Sequence, residues 1–196
     1  MSAGANDARH EAVLEAGRIL AEHPVYLDTE TTGLDADDQI VEICVLDHDG
    51  SVLVDSLVKS ACRISPGAAA VHGITEGAVR DAPVWPEVWP AVEAALRGRL
   101  VAIYNAPFDL RMIEQSHRAH GLAGRRPCVD ARCLMELYAR FRGDWSGRRG
   151  GYRWHRLEDA GWQCGIEEKQ AHRARADAWL ASAVLHHVAG QGSRPR

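Results

Sequence analysis

No run of roughly eighteen or more apolar residues occurs in this 196-residue chain, so no membrane-spanning helix is expected. The start, MSAGANDARHEAV, lacks a basic segment followed by an apolar one, so no secretory signal is expected either, and the expectation is a cytoplasmic protein. The five cysteines (Cys44, Cys62, Cys128, Cys133, Cys164) are odd in number and contain no CxxC, which argues against a disulfide framework or a zinc knuckle; buried free thiols are expected. There is no excess of basic residues: the formal net charge of −4 offers no global attraction to nucleic acid, so any such binding needs a local basic patch or bound metal. Internal repeats and a second-domain linker are also lacking. What remains is 46% hydrophobic residues, enough for one well-buried core.

Apolar spacing predicts a helix over about Ala8–Glu22, ended by Pro24 before the run Val25–Leu27. Gln39–Asp47 and Ser51–Val58 read as strands joined by the turn His48-Asp49-Gly50, so the first three strands should form an antiparallel meander. Short helices are expected at Pro66–Val71 and Thr75–Val79, and a longer one at Trp85–Leu96 broken by Pro86 and Pro90. Leu100–Tyr104 returns to strand and Phe108–His120 to helix, with a short fifth strand at Cys128–Asp130 and a helix at Leu134–Phe141. Gly143–Gly151 reads as loop, and Leu157–Cys164 and Arg175–Val188 as the last helices. Trp85, Trp89, Trp162 and Trp179 fall at apolar helical positions and are expected in the core. This order predicts the α/β class, a mixed sheet flanked by helices. An N-terminal helical segment (1–24), a main domain (25–190) and a polar tail (191–196) are the expected divisions.

Asp28 and Glu30, two apart in VYLDTETTGL, would share one face of a strand, where a single metal could bridge them. Asp109 in YNAPFD and Asp177 in HRARAD each stand near a helix start, where the dipole favours a carboxylate. His172 precedes Asp177 by five residues, about 140° apart on a continuous helix, so the two could meet only if His172 sits in a loop and the helix begins near Ala174. Each motif alone has an ordinary structural reading: a polar strand end, two helix caps, a surface histidine. Carboxylates gathered without basic partners would repel one another unless divalent cations sat between them.

Taken in order, YLDTETTGL, YNAPFD and HRARAD resemble the three exonuclease motifs of the DEDDh family of 3′–5′ exonucleases, and SPGAAAVHGIT (65–75) is similar to a stretch of its proofreading, epsilon-type branch. The resemblance covers Val25 to about His187 and implies a ribonuclease H-like fold. It also implies metal binding by Asp28, Glu30, Asp109 and Asp177, with His172 as the general base. The histidine version is favoured because Arg173 stands where the sister group places a tyrosine. Thr29, Gly33, Leu34, Val71, His72, Asn105 and Phe108 would surround the terminal nucleotide.

The implied reaction is hydrolysis of phosphodiester bonds at DNA 3′ ends, single strands preferred, releasing nucleoside 5′-monophosphates with two Mg²⁺ or Mn²⁺ ions as cofactors. An exoribonuclease is the alternative enzyme, and a catalytically inert nucleic-acid or protein-binding relative the alternative of another class. The nine arginines from Arg125 to Arg156, interleaved with Trp145, Tyr152 and Trp154, suit backbone contact and base stacking, although arginine outnumbers lysine throughout the chain. The expected partner is a nucleic acid 3′ end, with no membrane, no clear polymerase-tethering tail and no clamp-binding peptide.

Overall fold

The computed structural model describes residues 3–122, 129–148, 150–166 and 172–193. Helix α1 (Ala3–Ala21) leads into strands β1 (Val25–Thr31), β2 (Ile40–Leu46) and β3 (Val52–Leu57). The expected hairpin turn is present: Gly50 adopts φ 84°, and its N–H reaches the Asp47 carbonyl at 2.9 Å. Helices α2 (Pro66–His72), α3 (Glu76–Val79) and α4 (Trp85–Leu96) follow, then β4 (Leu100–Ile103), α5 (Ala106–Ala119), β5 (Asp130–Cys133) and α6 (Leu134–Arg142). A two-stranded ribbon, β6 (Trp145–Ser146) and β7 (Gly151–Tyr152), precedes α7 (Leu157–Gln163) and α8 (Ala174–Gly190). No helix among the described residues is long and apolar enough to cross a membrane.

The main sheet has the order β3-β2-β1-β4-β5, antiparallel from β3 to β1 and parallel from β1 to β5. This is the mixed five-stranded α/β arrangement expected. Period-two alternation divides the core. Tyr26, Cys44, Leu46 and Ala102 face α1, α6 and α8, whereas Val25, Leu27, Ile43, Val45, Val101 and Ile103 face α4 and α5. Asp28 and Glu30 continue the Tyr26 side, towards α8; Thr29 continues the Leu27 side, towards α5.

Several expectations need correction. Helix α4 is unbroken, because Pro86 lies in the first turn, where its missing N–H removes no helical bond, and Pro90 removes one bond near that end. Buried Trp85, Val88, Trp89, Val92 and Leu96 anchor that helix against the sheet. The fifth strand begins at Asp130 rather than ending there, since Leu100–Ile103 pairs in parallel with Asp130–Cys133; Cys128 lies outside the described residues. The supposed loop 143–151 holds the ribbon, with Trp145 and Tyr152 edge to face at 5.5 Å. Of the described cysteines only Cys44 is fully buried, although all are free.

Trp85 and Trp89 are core, but Trp162 is 79% and Trp179 44% exposed. Helix α7 docks through Ala160 and Gly161, so closely that a Cβ on Gly161 would lie 2.9 Å from Leu180 Cδ1. That docking turns the next residue, Trp162, outward. On α8 the buried stripe runs through Ala174, Ala178, Ala181 and Leu185, which leaves Trp179 at the edge.

Candidate active site

The carboxyl ends of the parallel strands β1 and β4 meet where the chain leaves the sheet in opposite directions, a position that favours ligand binding in open α/β sheets. Asp28 and Glu30 project there from β1, and α8, packed on β1 and β2, brings Asp177 from its first turn. Carboxylate oxygens of Asp28, Glu30 and Asp177 lie within 4.8 Å of one another. Asp109 is not part of that trio. It approaches from α5 on the other side of β1, where Thr29 Oγ1 donates to Asp109 Oδ1 at 2.8 Å.

The electrostatics of this cluster are those of crowded, buried negative charge. Burial, followed by repulsion from Asp109, Asp177, Glu30 and Glu42, raises the Asp28 carboxyl well above its usual range. Burial and then the charges of Asp177, Glu42 and Asp109 push Glu30 up to about 8, with only partial relief from Arg173. Asp109 rises to about 7, chiefly by burial, against the lowering effect of its Thr29 hydrogen bond. An all-oxygen set of mutually repelling carboxylates fits a hard divalent cation, which would remove the repulsion.

His172 lies in the turn before α8, which begins at Ala174, the arrangement that lets His172 and Asp177 face one another. Its backbone is left-handed at φ 66°, and its N–H points to Asp177 Oδ1 at 3.4 Å. Its imidazole Nε2 meets Glu158 Oε1 at 3.0 Å, so the ring is paired with a carboxylate from the first turn of α7. With Nε2–H donated to Glu158, Nδ1 carries the free lone pair.

One cavity adjoins the carboxylates at Glu30 and a second adjoins His172. The first, of about 310 Å³, is lined by Thr29, Glu30, Gly33, Leu34, Val71, His72 and Phe108, six of the seven residues expected around a nucleotide, together with Glu30 itself. Asn105 lines the other, of about 490 Å³, with Tyr104, Trp154, His155, Glu158 and His172; Val71 belongs to both. Leu34, 73% exposed, and Val71, 55% exposed, leave apolar surface open at the mouth of the smaller cavity.

Local sequence explains that cavity's wall. Ser65 caps α2 by accepting from the Ala68 N–H, Pro66 occupies the first turn, and Gly73 ends the helix at φ 71°. His72 accepts the Ile74 N–H at Nδ1 (2.9 Å) and donates from Nε2 to the Thr31 carbonyl (3.1 Å), which latches α2 to the end of β1. Both ring nitrogens are thereby committed and burial lowers the pKa, so His72 is a neutral wall residue rather than a polar contact. Gly33 is required for a reason other than ligand approach: a Cβ there would lie 2.5 Å from Asp38 Oδ2. Asp38 cannot yield, because Thr32 Oγ1 and the Asp35 N–H both bond to it.

Sequence reasoning missed Glu158 and Glu42. Glu158 had no distinguishing signal, being one of two acids in an ordinary helix start. Glu42 had one: it is the only charged residue in the seven-residue, wholly buried strand IVEICVL.

The sequence pattern of the exonuclease family matches residues 25–185. An uncharacterized exonuclease, CP81, of Escherichia phage 186 is 38% identical over 183 residues, covering 91% of this chain and 94% of that one. A PolC-type DNA polymerase III of Bacillus cereus is 32% identical over 198 residues; the match takes in 95% of this chain but only 13% of that much longer protein. Among solved structures, exonuclease X in complex with 5′ overhanging duplex DNA superposes with a TM-score of 0.65 at 26% identity, covering 87% of this chain and 93% of that one. The chain thus belongs to the exonuclease family, as a DEDDh-type 3′–5′ exonuclease of ribonuclease H-like fold related to the proofreading exonucleases of bacterial DNA polymerase III.

Proposed function

We propose that this exonuclease hydrolyses DNA from 3′ ends, single strands in preference to duplex, and releases nucleoside 5′-monophosphates with the help of two divalent cations, Mg²⁺ or Mn²⁺. The observation that carries this reading is the convergence of Asp28, Glu30 and Asp177 within 4.8 Å, where burial and repulsion from neighbouring acids raise Asp28 and Glu30. These three, with Asp109, would hold the cations. When bound, such a pair supplies Lewis-acid polarisation of the scissile phosphate and stabilises charge on the attacking and leaving oxygens.

The protein's own groups do the rest. His172 takes the proton of the attacking water, with Glu158 accepting from the opposite ring nitrogen and fixing the tautomer. Thr29 keeps Asp109 turned towards β1. Leu34, Val71 and Phe108 pack against the terminal nucleotide, contacts that tolerate any base. The likeness to a nuclease caught on overhanging DNA supports DNA as substrate.

Labelled DNA and RNA oligonucleotides of one sequence, incubated with the chelated and then the Mg²⁺- or Mn²⁺-restored protein, test this directly. Stepwise loss from the DNA 3′ end, only with cation present, is expected. Equal or faster loss from RNA would reassign the substrate, and degradation in excess chelator would remove the cations from the reaction.

The ribbon also bears on substrate. Trp145 stands exposed on it, and Arg148 and Arg153 are exposed beside it; Arg149, part of the same expectation, lies outside the described residues. The proposed role is a grip on the sugar–phosphate strand. Reversing charge at Arg148 and Arg153 should raise KM by about tenfold and flatten its salt dependence with kcat unchanged. A KM that keeps its value and its salt slope would remove the ribbon from substrate binding.

A further inference from the structure

One buried acid beside the cluster is clasped by a cationic side chain. Glu42 sits on β2 directly across from Glu30, in the register next to a bulge between Glu30 and Thr31. It is 3% exposed. Like charges opposite one another on neighbouring strands repel, so a second carboxylate here needs a partner. Arg173 supplies it: Nε donates to Glu42 Oε1 at 3.0 Å and Oε2 at 3.1 Å, and a guanidinium NH₂ group also donates to Oε1. The Ala174 N–H, at the start of α8, donates to Oε2 at 2.9 Å, so the same carboxylate caps the helix that carries Asp177.

Residues 173 and 174 are therefore pinned to β2 between His172 and Asp177. His172 needs such support, since its left-handed backbone is sparsely populated by residues with a side chain. The Arg173 side chain is half-exposed, and its charge already reaches Glu30. Released from Glu42, the guanidinium would have Asp55 on β3 and Glu30 of the cluster as its alternative partners.

We propose that Glu42 and Arg173 are positioning residues: an ion pair that holds the His172 turn against β2 and keeps the guanidinium on Glu42 rather than on the carboxylates that would bind divalent cations. This rests on the cation-binding reading above. Its signature is a pair of opposite effects. Glu42→Gln frees the guanidinium to compete, and Mn²⁺ binding to the full chain, followed by calorimetry, should weaken by about tenfold. Arg173→Gln leaves Glu42 as one more negative charge beside Glu30, so Mn²⁺ should bind more tightly. Arg173→Lys keeps the charge without the two-pronged geometry, so its Mn²⁺ affinity should stay within about twofold of the parent. All three should lose about tenfold in kcat through the loosened turn.

If Glu42→Gln and Arg173→Gln both weaken Mn²⁺ binding, or neither changes it, the pair merely supports the fold and the proposal fails. Should Glu42→Gln not fold, the comparison of Arg173→Gln with Arg173→Lys decides: tighter binding in the glutamine variant supports the proposal, equal or weaker binding overturns it. Failure of the cation reading itself looks different, as no Mn²⁺ binding in the parent protein that Asp28→Asn removes.

Discussion

Asp28→Asn should lower kcat on a single-stranded oligonucleotide by on the order of 10³-fold and, without cations, raise thermal stability. The two effects have one cause. Asp28 sits where burial and four neighbouring acids resist its ionisation, which is useful only when a cation takes up the charge. Asparagine keeps the shape and removes the repulsion. Activity-bearing sites commonly carry such local instability.

The sign with pH follows. Glu30 ordinarily titrates near 4.5 and here near 8, so between those values the unfolded chain gives up this proton while the folded one retains it. Stability contributed at low pH is therefore lost as pH rises through that window, by about 1.4 kcal/mol per unit for each such group. Asp28 and Asp109, also raised, act in the same direction. In chelator the protein should melt lower at about pH 8 than at about pH 5, and Mn²⁺ should reverse the difference by binding the ionised carboxylates and releasing their protons. At the higher pH, in chelator, Asp28→Asn should melt at least about 3 °C above the parent. A variant that melts lower there would mean that Asp28 supports the fold through contacts other than a cation, and the cluster would lose its assigned purpose.

His172→Ala should reduce kcat by about 10²- to 10⁴-fold, the usual contribution of a positioned general base, with Mn²⁺ affinity within about twofold of the parent. The separation matters because the imidazole meets Glu158 rather than the carboxylate trio. Single-turnover rates in saturating Mn²⁺, with calorimetry on the same preparations, make the comparison. A variant that keeps more than about a tenth of the parent rate would leave the proton transfer to another group. A large fall in Mn²⁺ affinity would make His172 part of the cation site instead.

Much of the arrangement could be read from local pattern. Asp28 and Glu30 share a face because strand side chains alternate, whatever the strand packs against. The SPGAAAVHG stretch carries its own cap, first-turn proline and terminal glycine, so α2 formed where expected. Trp162 and Trp179 were misplaced because a short helix and a small-residue stripe leave the buried face undecided until α7 and α8 dock. The fifth strand was displaced for a related reason: parallel pairing with β4 chose Asp130–Cys133, and that register is a property of two distant segments.

By itself, then, the amino-acid order determined the kinds of element, the mixed sheet and the candidate residues for the chemistry, since alternation, caps and turns act over a few neighbours. Only the tertiary structure decided which acids converge. Asp177 joins Asp28 and Glu30 because α8 packs on their side of the sheet, while Asp109 comes from α5 on the other and is held by Thr29. It likewise decided that His172 would face Glu158 and that Glu42 would clasp Arg173, contacts across 14 and 131 positions of sequence. Partners so far apart in the chain are chosen by packing, and a charge is neutralised only by the group that packing brings to it.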